Sequence, residues 1–246
     1  MDAAGSLRGV KEQVLAACHF LAQRGLLVGT GGNVSLRVEG RELMAITPSS
    51  TDYLTMSADD MCVVDLQSQQ LVEGPHPPSV EAGMHAAVYQ RRLDVNACIH
   101  THQPDASAFA LTEGGIPALF DEQVLNLGES VERVAYGLSG SAALLENIAA
   151  QLPNQRNAYL LQNHGVLVLG LTAELALRNV LLLEKCAHTY ALALQQGRPI
   201  SVLPEDSVST LAGMLHAAQK KEVRRKQRLA RTGEAPPVAP VLTERG

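Results

Sequence analysis

Residues 158–170, AYLLQNHGVLVLG, constrain the fold most, because two apolar runs are separated here by only a short polar turn. Short apolar runs bounded by turn residues are typical of buried β-strands. The pattern predicts strand, turn and strand around Asn163-His164-Gly165, with Gly165 permitting the tight turn. A second apolar run, VNACIHTH at 95–102, predicts another buried strand. The chain therefore contains a sheet with a buried centre.

Helical patterns alternate with strand patterns along the rest of the chain. Strands are predicted over 33–38 and 42–47, joined by a turn at Glu39-Gly40, and in MCVVDL. Helices are predicted over 6–24, 79–92 (with Ser79 as its N-cap), 172–195, and in PDASAFALTEGG and SAALLENIAAQL. The stretch 115–140 is predicted to be mainly loop. This order favours one α/β domain built around a mixed sheet.

The domain is predicted to span residues 1–218, followed by a charged helix and a Pro-rich tail over 219–246. Composition excludes several function classes. The formal charge of −5 argues against general nucleic-acid binding, and the absence of Trp disfavours an aromatic stacking groove. The four cysteines form no CxxC pair, the N-terminus lacks a signal-peptide pattern, and no apolar run approaches 18 residues. We expect a soluble, cytoplasmic protein without a membrane partner.

Two histidines, His100 and His102, end the apolar run at 95–102. On a strand, side chains at i and i+2 point to the same face, with Cα atoms roughly 6.5–7 Å apart. Both imidazoles can therefore bind one metal ion, although a pair of surface histidines on a loop gives the same pattern. His164 offers a third imidazole, and three histidines leave an open position for substrate, as catalytic zinc sites require.

Glu81 opens the helix predicted after Pro78 and shares one face with His85 at i+4. A carboxylate at this place has two interpretations. It can simply favour the positive end of the helix dipole. Alternatively, it can ligate a metal or accept a proton.

Two polar loops are suited to bind an anion through backbone N–H groups and hydroxyls. GTGGNVS at 29–35 contributes Thr30, Gly31 and Asn33, whereas TPSS at 47–50 contributes Ser49 and Ser50. Ser79 adds a hydroxyl near a helix N-terminus. Neither loop matches a P-loop or a dinucleotide-binding GxGxxG motif. Polar turns of this kind are often only turns.

Five motifs in fixed order, GTGGNVSLR, ITPSSTDY, PPSVEAGMH, CIHTH and LLQNHGVLVLG, resemble those of the class II aldolase/adducin family. The similarity covers roughly residues 8–195. It implies a three-layer α/β/α sandwich with a central, mostly antiparallel sheet, commonly assembled as a homotetramer. It also implies functional residues: Glu81 as catalytic group and metal ligand, the metal ligands His100, His102 and His164, and a phosphate pocket of Thr30, Gly31, Asn33, Ser49, Ser50 and Ser79.

The resemblance implies a metal-dependent lyase that cleaves a hydroxy-ketone sugar or sugar phosphate through an enediolate. Zn²⁺ is the expected ion, with Mn²⁺ or another divalent ion as the alternative. Three departures bear on specificity. Val80 replaces a phosphate-binding serine, and Ser50 replaces a common glycine. The tyrosine that acts as an acid in the family, after an Ile-Pro segment, is missing here. Asp121 or Glu122 therefore becomes a candidate proton donor.

Two alternatives remain open at the level of sequence. Decarboxylation or dehydration of a sugar-derived keto acid or phosphate can use the same metal site and a modified anion pocket. A non-catalytic, adducin-like interaction module is disfavoured, because such modules lose the metal ligands whereas all three histidines and Glu81 are present here.

Overall fold

The computed structural model describes residues 6–233. Its strands form one eight-stranded sheet: β1 (Asn33–Val38), β2 (Leu43–Ile46), β3 (Cys62–Asp65), β4 (Leu71–Glu73), β5 (Ala97–Thr101), β6 (Glu132–Val134), β7 (Ala158–Leu161) and β8 (Gly165–Gly170). The helices are α1 (Leu7–Ala22), α2 (Ala82–Arg91), α3 (Pro104–Ala110), α4 (Asp121–Leu127), α5 (Ala142–Gln151), α6 (Ala173–Gln195) and α7 (Glu205–Thr232).

The strand order is β4-β3-β2-β1-β5-β8-β7-β6. Every neighbouring pair is antiparallel except β6 and β7, which run parallel. The predicted hairpin of β1 and β2 is confirmed, and so is the strand–turn–strand of β7 and β8. β5 lies between β1 and β8, and every residue of β5 and β8 is buried. The segment that carries the paired histidines is thus at the centre of the sheet.

Helices cover both faces of the sheet, so the predicted three-layer sandwich is confirmed. Side chains on β5 alternate between two cores, as the pleat requires. Ile99 packs in the core shared with α1, α3 and α6, whereas Cys98 packs in the core shared with α2 and α5. The four cysteines are buried free thiols, consistent with the role of packing residues.

Three parts of the chain differ from the sequence prediction. The stretch 115–140, predicted as loop, contains α4 and β6, and a short edge strand, β4, was also missed. The predicted charged helix belongs to a longer helix, α7, which packs Ala212 against Ala118 and Val124 of the region around α4. These elements depend on contacts between distant segments, so local periodicity did not reveal them. The proposed domain boundary at residue 218 stays a prediction, and the Pro-rich tail lies outside the described residues.

None of the helices within residues 6–233 is long and apolar enough to span a membrane.

A buried ion pair joins the end of α2 to the strands of the sheet. The Arg92 guanidinium donates to both carboxylate oxygens of Asp94, at 2.9 and 2.7 Å, and the two side chains are 4% and 7% exposed. Arg92 also donates to the Arg156 carbonyl at 2.7 Å and to Asn157 Oδ1 at 3.0 Å. This network connects α2, the start of β5 and the start of β7.

Asp94→Asn should destabilise the protein by about 3 kcal/mol, because breaking a buried ion pair leaves an uncompensated charge. Urea unfolding monitored by circular dichroism measures the loss. Arg8→Ala is the matched control, since Arg8 pairs with Glu12 and Asp59 on the exposed surface and such pairs contribute little. Equal losses in the two variants would contradict the structural role assigned to Asp94.

Candidate metal centre and active site

Three histidines converge where β5 ends and β8 begins. His100 lies on β5, His102 directly follows the last strand residue, and His164 lies in the turn before β8. One ring nitrogen from each lies within 4.8 Å of the other two, and the ring centroids are 4.6–5.3 Å apart. The structure therefore brings the predicted trio together as a group that can hold one metal ion.

The chemistry of these imidazoles fits a divalent metal. His100 Nδ1 donates to the Val166 carbonyl at 2.8 Å, which leaves Nε2 as the unprotonated nitrogen, 3.0 Å from His102 Nε2. A backbone hydrogen bond of this kind is how proteins fix the tautomer of a metal-binding histidine. Burial lowers the pKa of His100 to about 4 and also lowers the pKa of His102. Both rings are thus neutral near pH 7, as metal ligation requires.

The turn that carries His164 differs in detail from the prediction. The left-handed residue is Asn163, with φ of 55°, whereas Gly165 already belongs to β8. Gly165 is needed for a different reason: a Cβ there would lie 2.5 Å from the Thr101 carbonyl oxygen and 2.6 Å from His102 Cδ2. The glycine lets the start of β8 approach the end of β5, and this approach brings the histidines together.

Glu81 lies immediately before the first turn of α2, and the prediction that Ser79 caps this helix is wrong. The Ser79 N–H donates to the Thr47 carbonyl at 3.1 Å, and the Ser79 carbonyl accepts from Ala82, so a turn precedes the helix. Glu81 takes the N-cap position with φ −98° and ψ 12°, yet its carboxylate makes no capping hydrogen bond. The side chain is directed to the histidines instead.

Each carboxylate oxygen of Glu81 faces one histidine and accepts one hydrogen bond. Oε2 lies 3.3 Å from His100 Nε2 and accepts from Asn33 Nδ2 at 2.8 Å. Oε1 lies 3.4 Å from His164 Nε2 and accepts from the Ser139 hydroxyl at 2.9 Å. Burial raises the pKa of Glu81, but the neighbouring histidines and the two hydrogen bonds together lower it below its usual value. Glu81 is thus an ionised, buried carboxylate beside the neutral imidazoles of His100 and His102.

The predicted anion-binding loops lie beside this centre. An isolated bridge between Pro48 and Pro78 joins the 47–50 segment to the segment that carries Ser79. Tyr53, three residues after the 47–50 segment, donates to the Gly32 carbonyl and so links this part of the chain to the 29–35 loop. A Cβ on Gly31 would lie 3.1 Å from His102 Nδ1, which places this loop against the histidines.

The residues of these loops differ in exposure, backbone conformation and hydrogen bonding. Thr30 is exposed at the surface. The Ser49 and Ser50 hydroxyls are 3.4 Å apart, and Ser50 adopts φ of 56°, the left-handed conformation that a glycine accepts without strain. The Ser79 hydroxyl accepts from the Glu81 N–H at 3.3 Å. Asn33 donates to Glu81 and therefore supports the carboxylate directly.

Sequence reasoning missed one residue of the site and left two candidates unconnected to it. Ser139 lies 58 positions from Glu81, and no motif pointed to it. Glu122 forms an ion pair with Lys185 of α6. Among the described residues, neither Asp121 nor Glu122 hydrogen-bonds to Glu81 or to the three histidines.

Gly165→Ala should abolish metal binding while leaving a folded protein of reduced stability, because its Cβ would force the start of β8 away from Thr101 and His102. Metal content after dialysis against Zn²⁺, with thermal unfolding alongside, measures both effects. Gly213→Ala is the control, since Gly213 lies on helix α7 and a Cβ there meets no other segment within 4 Å. Full metal binding by Gly165→Ala would refute the requirement for close approach.

Comparison with known proteins agrees with this geometry. Residues 12–191 match the family model described as the class II aldolase and adducin N-terminal domain. A 5-deoxy-D-ribulose 1-phosphate aldolase from Bacillus thuringiensis serovar kurstaki is 32% identical over 206 residues, covering 84% of this chain and 95% of the relative. The L-fuculose phosphate aldolase of Escherichia coli K12 is 31% identical, covering 81% and 90% of the two chains.

A solved structure of an L-fuculose 1-phosphate aldolase superposes with a TM-score of 0.77 at 33% identity, over 84% of this chain and 96% of that one. The similarity thus spans 90–96% of each relative, and the family match over residues 12–191 includes the segments that carry the histidines and Glu81. The chain belongs to the class II aldolase and adducin family, and it is a lyase of the aldolase type.

Proposed function

We propose that this protein is a divalent-metal-dependent aldolase that cleaves a ketose phosphate, or the corresponding unphosphorylated hydroxy-ketone sugar, into two carbonyl fragments. The observation that carries the proposal is the position of Glu81. Its carboxylate lies 3.3 Å from His100 Nε2 and 3.4 Å from His164 Nε2, where the central strand β5 ends and β8 begins, beside loops rich in hydroxyls. The site is reachable from solvent through His102, which is exposed. A carboxylate beside a three-histidine group in such a site suits acid–base chemistry next to a metal.

His100, His102 and His164 would hold the ion, with Glu81 as a further ligand, and Zn²⁺ is the proposed species. Three nitrogen ligands and one carboxylate form a set that zinc accepts. When bound, the ion would act as a Lewis acid that stabilises negative charge developing on a substrate oxygen.

Glu81 is proposed to move the proton. In the cleavage direction, the bond between the two carbons breaks as a hydroxyl proton leaves, and the departing fragment becomes an aldehyde. The other fragment takes up a proton at the carbon that has lost its partner. The ionised Glu81 would accept the hydroxyl proton as the bond breaks and deliver it to that carbon, and the synthesis direction would reverse both transfers. Asn33 holds the carboxylate in place during this exchange.

The loops and the relatives support the proposed substrate class. The named relatives act on 5-deoxy-D-ribulose 1-phosphate and L-fuculose phosphate. We propose that the loops carrying Thr30, Gly31, Ser49, Ser50 and Ser79 bind the phosphate through N–H groups and hydroxyls. Val80, 67% exposed, presents an apolar surface beside these hydroxyls.

Two further properties belong to the proposal. We infer that the protein assembles as a homotetramer, as the family resemblance implies. We also place it in the cytoplasm, because the cysteines are buried free thiols of the kind that persist in a reducing compartment.

The purified protein should cleave 5-deoxy-D-ribulose 1-phosphate or L-fuculose 1-phosphate and release dihydroxyacetone phosphate. A coupled assay with glycerol-3-phosphate dehydrogenase measures this product through NADH oxidation. Treatment with EDTA should abolish cleavage, and added Zn²⁺ or Mn²⁺ should restore it. Glu81→Gln should lower the rate by about 10²–10⁴-fold, the range for loss of a general acid or base.

Glu113→Gln is the control for Glu81→Gln, since Glu113 is an exposed carboxylate in the loop after α3. Unphosphorylated L-fuculose, assayed in parallel through release of the aldehyde fragment that both fuculose substrates would yield, shows whether the phosphate is required. If neither sugar is cleaved by the metal-loaded protein and a sugar-derived keto acid instead loses CO₂, the aldolase proposal fails and the decarboxylase alternative replaces it.

A further inference from the structure

We propose that Ser139 is a positioning residue for Glu81, holding its Oε1 in the orientation that the reaction uses. This inference rests on the proposed function, because it assigns the role of one residue in the same site. The Ser139 hydroxyl donates to Oε1 at 2.9 Å, although the residue lies on an exposed loop. Asn33 binds the other oxygen from the sheet. The carboxylate is thus held from two independent elements.

The loop that carries Ser139 is anchored on both sides. It connects β6 to α5 and spans residues 135–141. The Asn147 amide donates to the Ala135 and Tyr136 carbonyls at 3.1 Å, and the Tyr136 N–H donates to Gln162 Oε1 at 3.1 Å. The loop is therefore tied to α5 and to the end of β7, while Ser139 extends from it to the carboxylate.

Gly140 brings the loop to Glu81. It adopts φ of 72°, and a Cβ there would lie 3.1 Å from the Val80 carbonyl oxygen, the residue just before Glu81. A glycine is suited to this position because it accepts the left-handed conformation and allows close backbone approach. The following residue, Ser141, caps α5 by accepting from the Leu144 N–H at 3.2 Å. Helix α5 thereby fixes the end of the loop.

The two donors to Glu81 are held differently, because Asn33 lies on a strand and Ser139 lies on a loop. Asn33 on β1 pairs directly opposite His100 of β5, so its amide is fixed relative to the metal site. Ser139 reaches Glu81 through a single hydroxyl, which donates to Oε1 and can rotate. Loss of Ser139 should therefore free the rotation of the carboxylate about its Asn33 contact without removing the carboxylate itself.

Ser139→Ala should weaken Zn²⁺ binding about 10-fold and lower kcat about 10-fold with little change in KM, the low end of the effect expected for a group that orients a metal ligand. Competition with a chromogenic zinc chelator measures the affinity, and cleavage of 5-deoxy-D-ribulose 1-phosphate measures the kinetics. Ser139→Thr should restore both within about twofold of the parent, because it retains the hydroxyl. Ser209→Ala, an exposed serine on α7, is the control.

Gly140→Ala tests the same inference through the backbone and should reproduce the losses of Ser139→Ala. Gly197→Ala is its control, since Gly197 has φ of 63° but open space around it. Unchanged zinc affinity in Ser139→Ala, or failure of Ser139→Thr to restore it, would overturn the inference. If the parent binds zinc but cleaves no sugar phosphate, the proposed function fails, while the affinity measurements still decide the role of Ser139.

Discussion

The close approach of β8 to the end of β5 is the constraint on which the site depends. A side chain at Gly165 would place its Cβ 2.5 Å from the Thr101 carbonyl oxygen, so only a glycine lets the two strands meet there. This contact brings His164 to His100 and His102. It also aligns Val166, whose carbonyl fixes the tautomer of His100. The sheet thus brings residues that are far apart in sequence together as one group that could hold a metal ion.

A buried carboxylate is the second requirement, and it is costly unless it is paired and hydrogen-bonded. Glu81 meets the condition through Asn33 on one oxygen and Ser139 on the other, with a histidine facing each. The helix begins one residue later, so Glu81 is free of the capping role that an acidic residue at a helix start usually has. The site uses the helix to place the carboxylate.

The sequence predicted the central features because they depend on local patterns. Apolar runs identified β5 and β8, and the spacing of His100 and His102 predicted two neighbouring imidazoles at the end of β5. The prediction failed where distant contacts decide the outcome: Ser79 pairs with Thr47 and does not cap α2, and α4 forms under α7. Ser139 was missed for the same reason, since a single serine in a loop carries no periodic or motif signal.

The three histidines and Glu81 are proposed to bind one divalent metal ion together, and the coordination sphere of that ion tests this proposal most directly. X-ray absorption spectroscopy of the zinc-loaded protein should show about three imidazole nitrogens at about 2.0–2.1 Å and a carboxylate oxygen at about 2.0–2.2 Å. The imidazole signal should fall in His100→Ala. A sphere containing sulfur, or one unchanged in His100→Ala, would contradict the account.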